Sequence, residues 1–553
     1  MGSQSKVTGE SLLIGDLGDA GTYSLCGLCT LLFAKHLPEE RHKTYVEKSV
    51  GELVSYFKFP TKVNESMKAM LVGEGGNHQA LNSFIKLIHN EMEKKKIEPT
   101  RVVEDLVVFA VKDGVYDARL RVVLCKLALF IGVPLEEVEL YEQSLVQMLT
   151  NDVKSEEDPD ARRRNMNTKI KRYTLIALAS VGGGVILGLT GGLSAPLIAA
   201  GATALTSGAA ILGTPAGVAI IGSLFGVAGA GLTGFKMNKR VGNIEEFNFE
   251  TITEGRSLHL TIAVSGWISE NSDDAFSKPW ENLANSQEQY CIRYESSYLL
   301  ELGRAIDYFV GFAISMAAQE ALKYTLLAGL ITAIAWPTTL LTISSVIDNP
   351  WGVCIRRSAE VGKYLADILL SRQQGQRPVS LIGFSLGARV IFFCLEEMVS
   401  RKDSEGIIEN VVLLGAPVSA STDRWAKILP IISGKIINGY CRDDWLLKFM
   451  YRTSTATMRI AGLQAIPVEN KKLENKDLTH LIKGHMDYAQ KIDSVLSELG
   501  IRINKTEEET ATTEGDVEMN ELTSANKNGN VKEVEEEDAF EVTEESVFLK
   551  STE

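Results

Sequence analysis

A run of 62 residues, Thr174 to Phe235, contains no Asp, Glu, Lys or Arg. A transmembrane helix needs about 20 apolar residues, so this run is long enough for two passes and a turn. Fifteen of its residues are glycine, several of them four residues apart, a spacing that lets helices pack closely in lipid. Basic clusters at 162–172 and 236–240 flank the run, and such flanks mark the cytoplasmic side of a membrane. We predict a Gly-rich apolar transmembrane helical hairpin over 174–235; a hairpin packed inside protein is the alternative.

The segment before this run, residues 1–150, is predicted to be an all-helical domain. Apolar residues recur at helical spacing in the segments Thr44–Phe57, Ala80–Met92 and Ala118–Val133. A charged linker, residues 151–173, leads from this domain into the apolar run. Cys26 and Cys29 form a CxxC motif inside the apolar helical run SLCGLCTLLF. We therefore expect buried core cysteines there rather than a zinc site.

The acidic charge of the chain is concentrated at its C-terminal end. The formal net charge is −14, and residues 505–553, with 16 acidic and 4 basic side chains, carry −12 of it. The preceding part of the chain is therefore nearly neutral, which excludes a strongly basic nucleic-acid-binding protein. Low hydrophobicity and high charge predict that residues 504–553 form a disordered acidic tail.

Short apolar segments alternate with helical patterns between residues 243 and 503. The predicted strands are Leu258–Val264, Tyr290–Tyr294, Val379–Phe384, Val411–Leu414 and Lys435–Tyr440. This alternation is typical of the α/β class, in which helices cover a mostly parallel sheet. The sub-segment 308–347 includes a second uncharged stretch, Tyr324–Ile347. Its length and composition fit a lid over an apolar site, a buried crossover or a membrane span.

A G-x-S-x-G motif, Gly383-x-Ser385-x-Gly387, follows the predicted strand Val379–Phe384. Between a strand and a helix this pattern predicts the nucleophile elbow of an α/β-hydrolase, where a strained turn presents the serine hydroxyl. The two glycines provide the space that close packing of the strand and the helix requires. Ser385 is therefore the candidate nucleophile.

The candidate base follows from chain order, since an α/β-hydrolase triad runs Ser, then acid, then His. His480 and His485 are the two histidines that follow Ser385. His485 comes directly after Gly484, where a loop enters a predicted helix, and that position presents an imidazole well. We therefore favour His485, and expect His480 to pack or to cap a helix.

The candidate acid lies at the end of the strand Lys435–Tyr440, where the sequence offers Asp443 and Asp444. We prefer Asp444. A helix N-cap before Trp445 accounts for one of the two aspartates and leaves the other as the acid. The residues alone therefore leave the acid ambiguous by one position.

The tetrahedral intermediate of acyl transfer needs two backbone N–H donors, which form an oxyanion hole. One is expected from Leu386, the residue after the nucleophile. The other is expected from Trp267, because Gly266 allows a tight turn after the early strand Leu258–Val264.

Several longer segments, SGWISE, KPWENL, YCIRYES, LIGFSLGARVI, LLGAPV, DDW and GHMDY, occur in this order between residues 243 and 497. Together they resemble the transmembrane and coiled-coil domain-containing protein 4 family, a branch of the α/β-hydrolases. A Gly-rich hairpin after a helical block is similar to that family too. The resemblance implies an α/β-hydrolase-like domain with its triad on Ser385, Asp444 and His485. One departure from the family pattern is Asp443, which stands where a polar uncharged residue is common.

These patterns predict a membrane-associated serine hydrolase that cleaves an ester, such as a lipid. Its expected partners are the lipid bilayer and the substrate, with no nucleic acid, metal or cofactor. We expect an integral protein of an intracellular membrane, with the N-terminal and hydrolase-like domains in the cytoplasm. The alternative is a catalytically inactive hydrolase fold that acts as a binding or trafficking adaptor, and an acyltransferase would share the same triad.

Overall fold

The computed structural model describes residues 16–73, 78–154, 220, 222–225, 232, 244–319, 338–452 and 459–504. Most of the predicted charged linker, most of the predicted hairpin and the predicted acidic tail after residue 504 lie outside these ranges. Those predictions therefore remain predictions.

Helices make up the described N-terminal region. They are α1 Gly18–His36, α2 Lys43–Tyr56, α3 Thr61–Leu71, α4 His78–Lys95, α5 Pro99–Val111, α6 Ala118–Phe130 and α7 Leu135–Lys154. The central helix is α1, which is apolar over most of its surface and packs against α2, α3, α4 and α6. Cys26 and Cys29 lie buried in it, and burial raises the pKa of the Cys26 thiol to about 12. The predicted helical N-terminal region is confirmed, although α7 continues past residue 150 to Lys154.

A seven-stranded sheet follows in the chain. Its strands are β1 Phe247–Thr253, β2 Leu260–Val264, β3 Glu288–Tyr294, β4 Val379–Phe384, β5 Ile408–Leu414, β6 Ile436–Tyr440 and β7 Leu473–Asp477. Their order is β1-β3-β2-β4-β5-β6-β7, with β1 antiparallel to β3 and the other pairs parallel. The five central strands correspond to the five predicted ones, and the α/β class is confirmed. The two edge strands, β1 and β7, were not predicted.

Helices cover both faces of this sheet, as a parallel sheet requires. They are α8 Ser296–Gln319, α9 Thr338–Thr342, α10 Ser345–Leu370, α11 Leu386–Val399, α12 Thr422–Ile428, α13 Trp445–Met450, α14 Asp487–Gln490 and α15 Ile492–Glu498. The long helix α10 packs along α11 and α8. Because α10 leads into the start of β4, its first turns lie towards the carboxyl ends of the parallel strands, where Ser385 follows β4.

The described part of the uncharged run contacts protein. Leu224 and Phe225 are buried in the core of the helical region. The Phe225 ring centroid lies 4.6 Å from the guanidinium carbon of Arg377, and the Gln376 N–H donates to the Ser223 carbonyl oxygen at 3.1 Å. This part of the run therefore lies between the helical and α/β regions, as the alternative to a hairpin in lipid expects. Within the described residues, no helix combines the length and the apolar character needed to cross a membrane.

The second uncharged segment is described only from residue 338 onward. There it forms α9 and the beginning of α10, and Leu340 and Ile347 are buried in the core of the α/β region. This end of the segment is therefore part of the α/β fold. Residues 320–337 lie outside the described ranges, so lid, crossover and membrane span all remain open for them.

A buried ionic cluster joins the two regions. Arg121 in α6 donates from Nε to Glu142 Oε1 at 2.8 Å and from Nη2 to Glu142 Oε2 at 2.9 Å. Its Nη1 donates to Glu409 Oε1 in β5 at 2.5 Å, and His259 Nδ1 lies 3.2 Å from Glu142 Oε2. Burial alone would raise the pKa of Glu142, but Arg121 and His259 hold it well below its usual value. The cluster therefore binds α6 and α7 to the sheet through charges.

Arg121→Met is expected to lower the free energy of unfolding by about 3–5 kcal/mol, because it removes the guanidinium that Glu142 and Glu409 share in the buried cluster. The matched control is Arg401→Met, which removes an exposed pair with Glu397 and should cost at most about 1 kcal/mol. Urea unfolding of the two full-length variants measures the difference. Equal losses in both variants would contradict the role of Arg121.

Candidate active site

Ser385 lies in the sharp turn between β4 and α11. Its φ of 52° and ψ of −123° are strained for a residue with a side chain, and such strain is characteristic of a nucleophile elbow. Two glycines make the turn possible. A Cβ atom at Gly387 would overlap the carbonyl oxygen of Val264, and one at Gly383 would lie 2.9 Å from the carbonyl carbon of Gly387. The backbone of β2 therefore approaches α11 directly beside Ser385.

A chain of two hydrogen bonds joins Ser385 to His485 and His485 to Asp444. The Ser385 hydroxyl lies 2.6 Å from His485 Nε2, and His485 Nδ1 lies 2.6 Å from Asp444 Oδ2. Because the carboxylate can only accept, Nδ1–H donates to Asp444, and Nε2 is left to accept from the serine. The three side chains are 1%, 3% and 0% exposed respectively, so the chain is shielded from water.

The Asp444 carboxylate makes two contacts at once. Oδ2 accepts from His485, while Oδ1 accepts from the Leu447 N–H at 3.0 Å and caps the N-terminus of α13. The sequence offered a helix N-cap as the alternative role for one of the two aspartates, and Asp444 makes that cap contact as well as the contact with His485. The cap fixes the orientation of the carboxylate towards the imidazole.

The neighbouring candidates lie elsewhere. Asp443 is half-buried and has no recorded contact with His485. The His480 side chain is 61% exposed, and its Nε2 lies 3.6 Å from Glu498 Oε1 on the surface. The structure thus brings together Ser385, Asp444 and His485 and leaves the other two aside.

Two aromatic side chains enclose the imidazole of His485. Trp267 stacks on it, with ring centroids 5.3 Å apart and an angle of 29° between the planes, and Tyr488 meets it edge-on at 5.9 Å. Burial, followed by the charge of Asp444, raises the pKa of Tyr488 well above its usual value, so the phenol stays neutral. The nearby Cys441 is also uncharged, because burial raises the pKa of its thiol to about 11.

The loop after β2 is tied down beside the elbow. A Cβ atom at Gly266 would lie 2.6 Å from Ser385 Cβ and 3.0 Å from the Leu386 nitrogen. Ser265 holds the loop: its hydroxyl donates to the Phe276 carbonyl oxygen at 3.1 Å and accepts from Trp280 Nε1 at 2.9 Å. The Tyr294 hydroxyl donates to the Ser265 carbonyl oxygen at 2.9 Å. Gly266 and Trp267 are therefore held next to Leu386.

The sequence reasoning missed the roles of four of these side chains. Trp267 was considered only for its backbone N–H, and nothing was assigned to Ser265, Tyr294 or Tyr488. Their signal was available only as part of the longer segments SGWISE, YCIRYES and GHMDY. Their contacts join residues far apart in the chain, so spacing alone could not reveal them.

Within the described ranges, no group of His, Cys, Asp and Glu side chains is arranged to hold a metal ion. The side chains at the site are a hydroxyl, an imidazole and a carboxylate in hydrogen-bonded series. That arrangement can move a proton from the hydroxyl to the imidazole and stabilise the imidazolium that forms.

Fold and site together define a class: α/β proteins in which a serine turn after a central strand meets a histidine and an aspartate at the carboxyl edge of the sheet. A family model described as "Protein of unknown function (DUF726)" matches residues 168–502, and the chain belongs to this family. No solved structure matches the chain significantly.

Relatives of the chain include an uncharacterized membrane protein of Caenorhabditis elegans, 48% identical over 82% of this chain and 74% of that protein. A transmembrane and coiled-coil domain-containing protein of Oryza sativa subsp. japonica is 40% identical over 69% of this chain and 61% of that protein. A protein of Saccharomyces cerevisiae named "Probable lipase" is 31% identical over 73% of this chain but 38% of its own length. The name of the rice protein supports a resemblance to transmembrane and coiled-coil domain-containing proteins in general. Membership of the protein 4 family among them stays a prediction.

Gly387→Ala is expected to lower the free energy of unfolding by about 1–3 kcal/mol or more, because the new methyl group overlaps the backbone of β2. Gly311→Ala in α8 is the control, since among the described residues no atom outside the adjoining helix backbone lies within 4 Å of the added methyl group. A helical Gly→Ala change there should raise stability by about 0.5–1 kcal/mol. Thermal and urea unfolding test both; a Gly387→Ala protein as stable as the wild type would contradict the close packing.

Proposed function

We propose that this protein is a membrane-associated serine hydrolase that cleaves an ester, with a lipid as the substrate class. The observation that carries the proposal is the buried hydrogen-bond chain from Ser385 through His485 to Asp444. The strained elbow and the order Ser, Asp, His in the chain support it, as does the S. cerevisiae relative named a lipase.

In the proposed reaction, Ser385 Oγ attacks the ester carbonyl carbon while His485 Nε2 takes the hydroxyl proton. The tetrahedral intermediate then expels the alcohol, which receives that proton from His485, and an acyl-serine remains. Water, deprotonated by the same imidazole, then attacks the acyl carbon; the bond to Ser385 Oγ breaks, Oγ recovers the proton from His485, and the acid is released. Asp444 stabilises the imidazolium in both steps through its contact with Nδ1.

The oxyanion of each tetrahedral intermediate is proposed to accept hydrogen bonds from the backbone N–H groups of Leu386 and Trp267. The support is the position of the Gly266 turn, which lies directly against the elbow and is held by Ser265. One such donor contributes about 3–4 kcal/mol to transition-state stabilisation in enzymes of this kind.

The aromatic surroundings favour an apolar acyl group. Trp267 and Phe384 pack against each other beside the triad, with ring centroids 5.1 Å apart. Trp445, the residue after Asp444, stacks with Phe309 of α8 at 6.3 Å. Such walls exclude water and favour hydrocarbon over a polar substituent.

One observation favours the competing function, an inactive hydrolase fold that serves as an adaptor. Ser385 is only 1% exposed, so an ester can reach it only after neighbouring groups move. Labelling of the serine decides between the two functions, because a fluorophosphonate reacts only with an activated serine.

A fluorophosphonate probe is expected to label the full-length protein in lipid or detergent, and Ser385→Ala should abolish labelling. The chain supplies matched controls for the other two groups. His485→Ala and Asp444→Asn should slow labelling by about 10³-fold or more, because both remove the activation of the hydroxyl. His480→Ala and Asp443→Asn should leave the rate within about threefold of the wild type, since neither side chain contacts the triad.

Absence of Ser385-dependent labelling under every lipid and detergent condition would overturn the hydrolase proposal and favour the adaptor. Equal labelling in all four variants would overturn the assignment of the triad while leaving Ser385 as the nucleophile.

Membrane association is proposed to occur through the part of the uncharged run before residue 220, because Leu224 and Phe225 are buried in protein, with the regions before and after the run in the cytoplasm. The supports are the length of the run, its basic flanks and the relatives named as membrane proteins. The full chain is expected to stay in the membrane pellet after alkaline carbonate extraction. Release into the supernatant would contradict integral insertion.

A further inference from the structure

An open groove of about 650 Å³ lies between α10 and α11. Its volume is in the range of small-molecule sites. The side chains that define it are Tyr298, Val353, Arg356, Arg357, Arg389 and Phe393. The groove is separate from the triad but close to it, because Arg389 lies one turn of α11 after Ser385. The backbone N–H of Arg389 donates to the Ser385 carbonyl oxygen at 3.1 Å.

Arg389 is a largely buried cation in this groove. Its Nε donates to the Ile355 carbonyl oxygen at 3.1 Å and its Nη1 to the Pro417 carbonyl oxygen at 3.0 Å. The guanidinium carbon lies 4.5 Å from the Phe393 ring centroid. Burial lowers the pKa of Arg389, in line with its partly buried position. An anion stabilises a guanidinium that is partly removed from water.

The described residues do not supply that anion. No ion pair within the described ranges involves Arg389, and its neighbour Glu396 is bound by Arg424. Arg356, exposed at the mouth of the groove, likewise has no ion pair with a described residue. Arg357 differs, since Glu295 and Glu245 neutralise it.

The one carboxylate that lines the groove does not cancel this charge. Glu360 pairs with Lys363 at 3.0 Å. Among the described residues, Arg356 and Arg389 therefore line the groove without an ion-pair partner, the first exposed and the second partly buried. Guanidinium groups bind phosphate oxygens through paired N–H donors, so a phosphate anion fits this charge.

Apolar side chains also lie along α10 on the N-terminal side of the groove. Val353 lines the groove, and Val346, seven residues earlier and so on the same face of the helix, is 41% exposed. Leu341 lies in α9, the helix that precedes α10 in the chain, and is 44% exposed. Val346 lies about 16 Å from Arg357 along the helix at 1.5 Å per residue. Positive charge at one end and exposed apolar side chains at the other suit an amphiphile rather than a free anion.

We propose that this groove binds the phosphate headgroup of an anionic phospholipid, whose hydrocarbon part lies along Val353 and Val346. Exposed apolar residues in α8, Tyr308 and Ile314, lie on a neighbouring helix that packs against α10. A lipid bound in this way holds the carboxyl edge of the sheet, and with it Ser385, towards the membrane surface. Headgroup binding does not require the triad chemistry, so this proposal and the hydrolase proposal can fail separately.

The test uses the full chain carrying Ser385→Ala in uncharged detergent, so that no ester is cleaved. Calorimetry measures the affinity for three probes: dihexanoyl-phosphatidic acid, dihexanoyl-phosphatidylcholine and inorganic phosphate. Phosphatidic acid is expected to bind about tenfold or more tightly than either of the others, because it alone combines net negative charge with apolar chains. Binding should weaken as salt concentration rises.

Arg356→Glu should weaken phosphatidic acid binding by about tenfold or more, because it replaces a charge-assisted donor with a like charge. The control is Lys402→Glu, the same change of charge on an exposed residue just beyond the far end of α11, and it should leave the affinity unchanged. Arg389→Gln is the second groove variant, with its unfolding midpoint measured alongside, since Arg389 also bonds two backbone carbonyls.

Each of three results would overturn the proposal. The first is that Arg356→Glu and a folded Arg389→Gln both bind phosphatidic acid with the affinity of the wild type. The second is inorganic phosphate binding as tightly as phosphatidic acid, which would make the groove a free-anion site. Equal binding of phosphatidylcholine would also contradict it, because the arginines would then contribute no selectivity for net charge.

Discussion

The close approach of β2 to the turn after β4 is the constraint on which the candidate site depends. Parallel pairing of the two strands places Val264 beside Gly383, so the chain after β2 meets the start of α11. Any side chain at Gly266 or Gly387 would overlap backbone or Ser385 there. Because these glycines let the segments touch, the strained serine, its neighbouring N–H and the Trp267 loop share one small volume.

The rest of the site is built outward from this contact. The Trp267 side chain projects from the loop after β2 and stacks on His485. This contact joins the ends of β2 and β4 to the C-terminal helices. Asp444 receives His485 with one oxygen and caps α13 with the other, so the orientation of the acid is fixed by a helix terminus. The three residues of the hydrogen-bond chain thus lie in three separate parts of the fold, and all three are buried.

The sequence predicted the centre of the fold better than its edges, for a physical reason. The central strands β2 and β4 are buried at every residue and are mostly apolar, whereas β7 (Leu473–Asp477) is half-buried and mostly polar. The glycine-flanked serine was recognisable because the elbow imposes residue types at fixed spacing. Asp443 and Asp444 could not be separated, since both follow β6 and only the three-dimensional position of His485 distinguishes them. The Arg121–Glu409 pair was inaccessible because it depends on how α6 packs on the sheet.

Charge and apolar surface are distributed in a way that suits work at a membrane. The chain before residue 505 is nearly neutral overall, yet arginines gather in the groove beside Ser385 and apolar side chains are exposed at Tyr308 and Val346. Part of the uncharged run, at Leu224 and Phe225, packs against protein and so ties the run to both regions. The proposed catalytic edge and the proposed lipid-binding groove are at the same end of the sheet.

The central claim is that Ser385 carries an acyl group during turnover. The most direct measurement is to mix the full-length protein with a short-chain p-nitrophenyl ester, quench in acid within the first turnovers and map the acyl group by peptide mass spectrometry. The peptide that contains Ser385 is expected to carry an acyl mass increment, which should be absent in Asp444→Asn and His485→Ala at the same time point. Ester hydrolysis with no acyl group on Ser385, or with the group on another residue, would contradict it.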